Sequence, residues 1–76
     1  MKNSKIALVT GASAGIGWDV AQYLNEKGIR TVAVARRLEK MAPLKKLGIH
    51  TYRMDVTDSN SMENCLTKIR KEVGEI

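Results

Sequence analysis

The sequence predicts an α/β fold: a doubly wound parallel sheet, of which these 76 residues carry the N-terminal β-α-β-α-β-α half in strand order 3-2-1. Three observations lead there. Short apolar runs alternate three times with segments whose apolar residues recur at helical spacing. Gly28, Gly48 and Gly74 each stand where a helical pattern stops. A glycine-rich junction, Gly11, Gly15 and Gly17, joins the first apolar run to the first helical segment. Such alternation implies right-handed crossovers between parallel strands, with helices on the faces of the sheet.

Residues 5–10 read as a buried strand, because Ile6, Ala7, Leu8 and Val9 are consecutive and apolar between polar ends. Residues 15–27 read as a helix with Ile16, Val20, Ala21 and Leu24 on its packed face, stopped by Gly28. Residues 29–35 form the second strand, rich in the β-branched residues that suit a pleated surface. Residues 38–47 hold a short helix. Pro43 cannot sit in its interior, so the helix is expected to begin near Met41 or Ala42, with the proline in its first turn. Residues 49–54 form the third strand. Residues 60–73 form the third helix, with Met62, Cys65, Leu66, Ile69 and Val73 on one face and Asn60 with Glu63 as a capping box.

This order poses a physical problem. The first strand reads as buried, yet in a three-stranded 3-2-1 sheet it is an edge whose unpaired ladder groups invite association. Gly74, Glu75 and Ile76 read as the loop into a further strand that would cover it. Residues 1–76 are therefore expected to be part of a larger single domain, a fragment of it.

Composition narrows the class. Hydrophobic residues at 43% and charged residues at 28% fit a soluble globular chain and exclude a disordered one. With only Trp18, Tyr23 and Tyr52 as aromatics, the core must be aliphatic. No apolar stretch approaches the ~20 residues of a membrane span, and the run before the first glycine is too short for a secretory signal. A single cysteine, Cys65, excludes an internal disulfide, fits a reducing cytoplasm and falls among core positions. The net charge of +5 raises the question of nucleic acid. The basic residues are scattered apart from the pair Arg36-Arg37, stacking aromatics are few and no groove-reading motif is present, so no nucleic-acid partner is expected. His50 has no partner at ligand spacing, so no metal site is expected either.

The glycine junction carries the chemistry. Three glycines let the backbone turn tightly, approach an anionic ligand without a Cβ in the way and lay the helix against the strand. The unpaired amides and positive dipole end of the helix then meet negative charge, which suits a pyrophosphate.

The stretch Thr10-Gly11-Ala12-Ser13-Ala14-Gly15-Ile16-Gly17, followed by Ala21, resembles the T-G-x-x-x-G-x-G signature of the short-chain dehydrogenase/reductase family, a Rossmann-like fold. Asp55-Val56 after the third strand resembles a second feature of that family, and the likeness runs over residues 5–76. It implies that the turn from Gly11 through Ser13, Gly15 and Ile16 to Gly17 cradles a dinucleotide's pyrophosphate. It also implies that Asp55 meets the adenine amino group, with the backbone of Val56 beside the ring. Thr10 reads as architectural. The implied activity is hydride transfer between the cofactor and a small-molecule carbonyl or alcohol substrate.

Cofactor choice turns on the end of the second strand. An acidic residue there would bond the ribose hydroxyls of NAD(H) and repel the extra phosphate of NADP(H). The chain has Arg36 and Arg37 instead, planar and permanently charged donors that match a phosphate, and Ser13 can add a hydroxyl or backbone contact. NADP(H) is therefore expected over NAD(H), against the plainer reading of two solvated arginines. Ala14 lacks the basic side chain that many NADP-preferring relatives carry, so the preference rests on the arginine pair.

No catalytic residue is expected. The family's chemistry uses a tyrosine with a lysine four residues on, plus a serine and an asparagine, in segments this chain lacks. Tyr23-Leu24-Asn25-Glu26-Lys27 matches the spacing by coincidence, since it lies in the first helix and such a pair are ordinary helical neighbours. The chain alone is expected to be inactive. Trp18 either packs over the turn or meets a segment beyond this chain. A reading from another class also fits: a non-catalytic nucleotide-binding module that self-associates through the first strand's edge or is completed by another chain.

Overall fold

A computed structural model describes residues 6–74. The expected first residue of the opening strand, Lys5, and the last two of the closing loop, Glu75 and Ile76, lie outside the described residues. The elements run in the expected order: β1 (Ile6–Thr10), α1 (Gly15–Glu26), β2 (Arg30–Ala35), a 3-10 turn (Leu38–Met41), α2 (Ala42–Lys46), β3 (His50–Arg53) and α3 (Ser59–Glu72). All strands are parallel, and β2 lies between β1 and β3, the 3-2-1 order read from the other edge.

Alternation along β2 explains both faces. Ala33 and Ala35 join Val9, Ala12, Ala21, Met41, Leu44 and Ile49 in a core beneath α1 and α2, with Trp18 and Leu24 packed against it. Val32 and Val34 point the other way and meet Met54, Cys65 and Ile69, with Met62, Leu66 and Val73 at the margin. The α3 face is thus the one its periodicity predicts, and Cys65 is a core residue. Trp18 packs inward on the α1 side of the sheet.

Three expectations need correction. Ile16 is 82% and Val20 40% exposed, so only Ala21 and Leu24 of the proposed α1 face pack on the sheet. Nor is β1 fully buried: it is an edge of the described sheet, where Ile6, Ala7 and Leu8 are half-buried and only Val9 is enclosed. The cap of α3 is Asp58, two residues before Asn60, and its Oδ1 accepts from the amides of Asn60 (3.0 Å) and Ser61 (3.4 Å). Pro43 does fall in the first turn of α2, which begins at Ala42.

The α3 helix is tied to the sheet at its far end. Arg30 of β2 donates through Nη1 to the Val73 carbonyl at 3.1 Å. The Tyr52 hydroxyl of β3 donates to Glu72 at 2.5 Å. Burial, followed by this bond and the Glu72 charge, pushes the Tyr52 phenol up to about 12.

Candidate functional site

Parallel pairing sets the site. Thr10 stands opposite Val34 and Ala35 opposite Arg53, so the carboxyl ends of all three strands open on one rim. The Gly11–Gly17 turn, the Arg36-Arg37 corner and the Asp55-Val56 corner each leave a strand at that rim. Two backbone bonds extend the ladder into it: the Ala12 amide donates to the Val34 carbonyl at 3.2 Å and the Met54 amide to the Ala35 carbonyl at 3.0 Å. The expected site residues, although spread from Gly11 to Val56, are therefore carried by three adjoining loops.

In the first loop Gly11 and Gly15 have φ of +63° and +64°, a backbone conformation that side chains disfavour, and a Cβ built on either would meet nothing within 4 Å. Their surroundings are open to a ligand. Gly17 is different. A Cβ there would lie 2.5 Å from the Gly11 carbonyl oxygen, so glycine lets α1 sit on the turn. The helix begins at Gly15 behind Ala14, which is extended and offers no side-chain cap, and its first turn holds no acid. The leading amides thus keep their donor capacity and the helix end its positive dipole. Ser13 is half-buried in this turn, and Ile16 projects outward from it.

The second loop presents Arg36 and Arg37, both exposed. Arg37 opens the 3-10 turn, its carbonyl accepting from the Lys40 amide at 3.1 Å. Its side chain makes no hydrogen bond or ion pair with the other site residues. Arg36 does join them electrostatically, since its charge reaches Asp55.

The third loop is the most tightly organised. The Asp55 Oδ1 accepts from the Thr57 hydroxyl at 2.6 Å and from the Thr57 amide at 3.0 Å, and the Asp55 amide donates to the Ser61 hydroxyl at 3.0 Å. The Thr57 hydroxyl bond first, then its amide bond, and then the Arg36 and Arg53 charges hold the Asp55 carboxyl below the usual carboxylate range. Both hydrogen bonds fall on Oδ1, and Oδ2 accepts none from the described residues. Val56, 56% exposed, stands beside it. Sequence reasoning missed Thr57 and Ser61; the signal available was Asp-x-Thr, the spacing of a side chain that bonds the backbone two residues on.

Tyr23 and Lys27 lie at the opposite end of α1 from this rim, both exposed, with the Lys27 ammonium 5.4 Å from the Tyr23 ring centre. They form a helical neighbour pair. Among the described residues no group of three or more His, Cys, Asp or Glu side chains is placed to hold a metal ion, and no helix is long and apolar enough to cross a membrane.

Residues 5–76 match the family described as short chain dehydrogenase. An NADPH-dependent 1-acyldihydroxyacetone phosphate reductase of Schizosaccharomyces pombe is 38% identical over 72 residues, which is 93% of this chain and 24% of that protein. The crystal structure of a short-chain dehydrogenase from Streptomyces avermitilis superposes with a TM-score of 0.91 at 26% identity, covering 100% of this chain and 29% of that one. That of an actinorhodin polyketide ketoreductase variant with NADPH gives 0.84 at 29% identity, over 96% and 30%. The chain thus spans less than a third of the length of each of these three.

Proposed function

This chain belongs to the short-chain dehydrogenase family, and from that premise we propose that it is the N-terminal, NADP(H)-binding part of an oxidoreductase acting on a carbonyl or alcohol substrate. The observation that carries the reading is the rim itself. It has two open, left-handed glycines and an uncapped helix end in one loop, with Arg36 in the next and Asp55 in the third. These residues fit a dinucleotide: the turn from Gly11 to Gly17 with Ser13 and Ile16 takes the diphosphate, and Arg36 with Arg37 takes the additional phosphate. Asp55 and Val56 border the base. The cofactor, when bound, supplies the hydride chemistry, while these residues bind it, orient it and balance its charge. NADPH in the names of the yeast reductase and the polyketide ketoreductase structure supports the preference for the phosphorylated cofactor. Residues 1–76 alone bind without turnover in this reading, in a cytoplasmic protein with no nucleic-acid or membrane partner.

Fluorescence titration with NADPH and NADH tests it. The expected result is tighter binding of NADPH, with Arg36→Ala plus Arg37→Ala weakening NADPH by about tenfold or more and leaving NADH nearly unchanged, as loss of charge-assisted phosphate bonds requires. Equal affinity for both cofactors, or no effect of the double substitution, refutes the clamp.

The half-burial of Ile6, Ala7 and Leu8 on β1 favours a second reading, a binding module that self-associates through that edge. Sedimentation at rising concentration separates the two: a nucleotide-binding oligomer supports the module, and a nucleotide-binding monomer at all concentrations removes it.

A further inference from the structure

Asp55 is held at every polar atom but one. The chain is anchored immediately before it, where the Met54 amide donates to the Ala35 carbonyl at 3.0 Å and the Met54 side chain lies buried in the core with Cys65 and Ile69. The Asp55 amide donates to the Ser61 hydroxyl at 3.0 Å, and the Asp55 carbonyl accepts from the Asp58 amide at 3.0 Å. Both Thr57 donors, hydroxyl and amide, meet the same carboxylate oxygen, Oδ1. Two donors on one sp2 oxygen use both of its lone pairs, so they fix the plane of the carboxylate as well as its place. Oδ2 is the acceptor that remains.

The plainer role for such bonds is to close the corner between β3 and α3. Asp58 already does this: it caps α3 through Oδ1, and its amide closes the turn on the Asp55 carbonyl. The exposed Thr57 side chain adds to that path only its bond to the Asp55 carboxylate. The Thr57 hydroxyl is therefore spent on aiming a side chain that faces the rim.

We infer that Thr57 and Ser61 are positioning residues for the cofactor's base, holding Asp55 so that Oδ2 accepts from an exocyclic amino group and selects adenine against a base with a carbonyl in its place. The inference rests on the dinucleotide reading of the rim. A charged carboxylate can only accept. Adenine offers it an amine hydrogen, whereas hypoxanthine sets a carbonyl oxygen there and carries its own donor, N1–H, one ring position away. A fixed Oδ2 meets that carbonyl with like partial charge. A carboxylate free to turn reaches N1–H instead, and the distinction between the bases narrows.

The test is fluorescence titration of the 76-residue chain with NADPH and with its reduced hypoxanthine analogue, which shares the nicotinamide, both riboses and every phosphate. The unsubstituted chain should bind NADPH about tenfold or more tighter, the scale of one charge-assisted hydrogen bond. Thr57→Val, which keeps the side-chain shape and removes the hydroxyl, should reduce that preference to about threefold or less. Thr57→Ser, which keeps the hydroxyl, should retain it, and Ser61→Ala should narrow it in the same sense as Thr57→Val. A merely structural role predicts another pattern, in which Thr57→Val weakens both cofactors alike and leaves their ratio intact. That pattern, equal affinities in the unsubstituted chain, or loss of the preference in Thr57→Ser would overturn the inference, and an unchanged ratio in Ser61→Ala would remove Ser61 from it. Absence of binding of either cofactor to the unsubstituted chain would overturn the dinucleotide reading itself and the inference with it.

Discussion

An alanine methyl at Gly17 would sit 2.5 Å from the carbonyl oxygen of Gly11 and 2.9 Å from its carbon, both backbone atoms with no rotamer to move. Gly17→Ala is therefore expected to destabilise the chain by about 1–3 kcal/mol, the usual range for overpacking, and to weaken NADPH binding with it. Urea denaturation and cofactor titration on the same variant check both effects. Gly11→Ala is a different experiment: space is open there, and the cost comes from the backbone conformation. Asp55 offers a second test. Its carboxyl is held low in the folded chain, so between the folded and unfolded values only the unfolded chain binds the proton. Its stabilising contribution is complete above about pH 4 and is lost as pH falls through the folded value. Thr57→Val, which removes the largest cause, should move the Asp55 titration back toward the ordinary range in an NMR-monitored pH series. An unmoved titration would show that the Thr57 hydroxyl does not hold it.

Asp58 shows how an element can be read correctly and bounded wrongly. The apolar spacing from Met62 to Val73 is unambiguous, but it says nothing of the turn before Met62, where Asp58, Ser59, Asn60 and Ser61 are all plausible caps by type. The structure selects Asp58 because its extended backbone aims Oδ1 at two leading amides. Asp58→Ala should cost about 1 kcal/mol in the urea midpoint, and Asn60→Ala much less. Equal losses would restore Asn60 as the cap. Pro43 was legible for the opposite reason: its fixed geometry admits few positions in a helix, and the first turn is one of them. The α1 face was only partly legible. Ile16 and Val20 satisfy the helical period, yet period alone cannot report which of its positions the sheet reaches. The glycine turn and the Arg36-Arg37 corner were legible from residue type and spacing, the Asp55-Val56 corner only through the family resemblance. The bonds from Thr57 and Ser61 that organise Asp55 were not, because they depend on a corner whose shape the sequence does not state.

The fold has one central strand and two edges, with contrasting chemistry. At β1 the edge is apolar and half-buried; at β3 it is only four residues long and bordered by charges of both signs, Lys45 with Glu72 and Arg53 and Lys68 with Asp58. An apolar, half-buried edge suits a permanent neighbour, which is why self-association is argued for β1. The strand between them is the only one in the described sheet paired on both edges and covered on both faces, with residues Thr31 to Ala35 all buried. This arrangement has a consequence for solvent isotope labelling. The β2 amides can trade hydrogen for deuterium only when the whole domain opens, so their exchange should report the global unfolding free energy. The outward amides of the two edge strands, β1 and β3, should exchange first within the sheet.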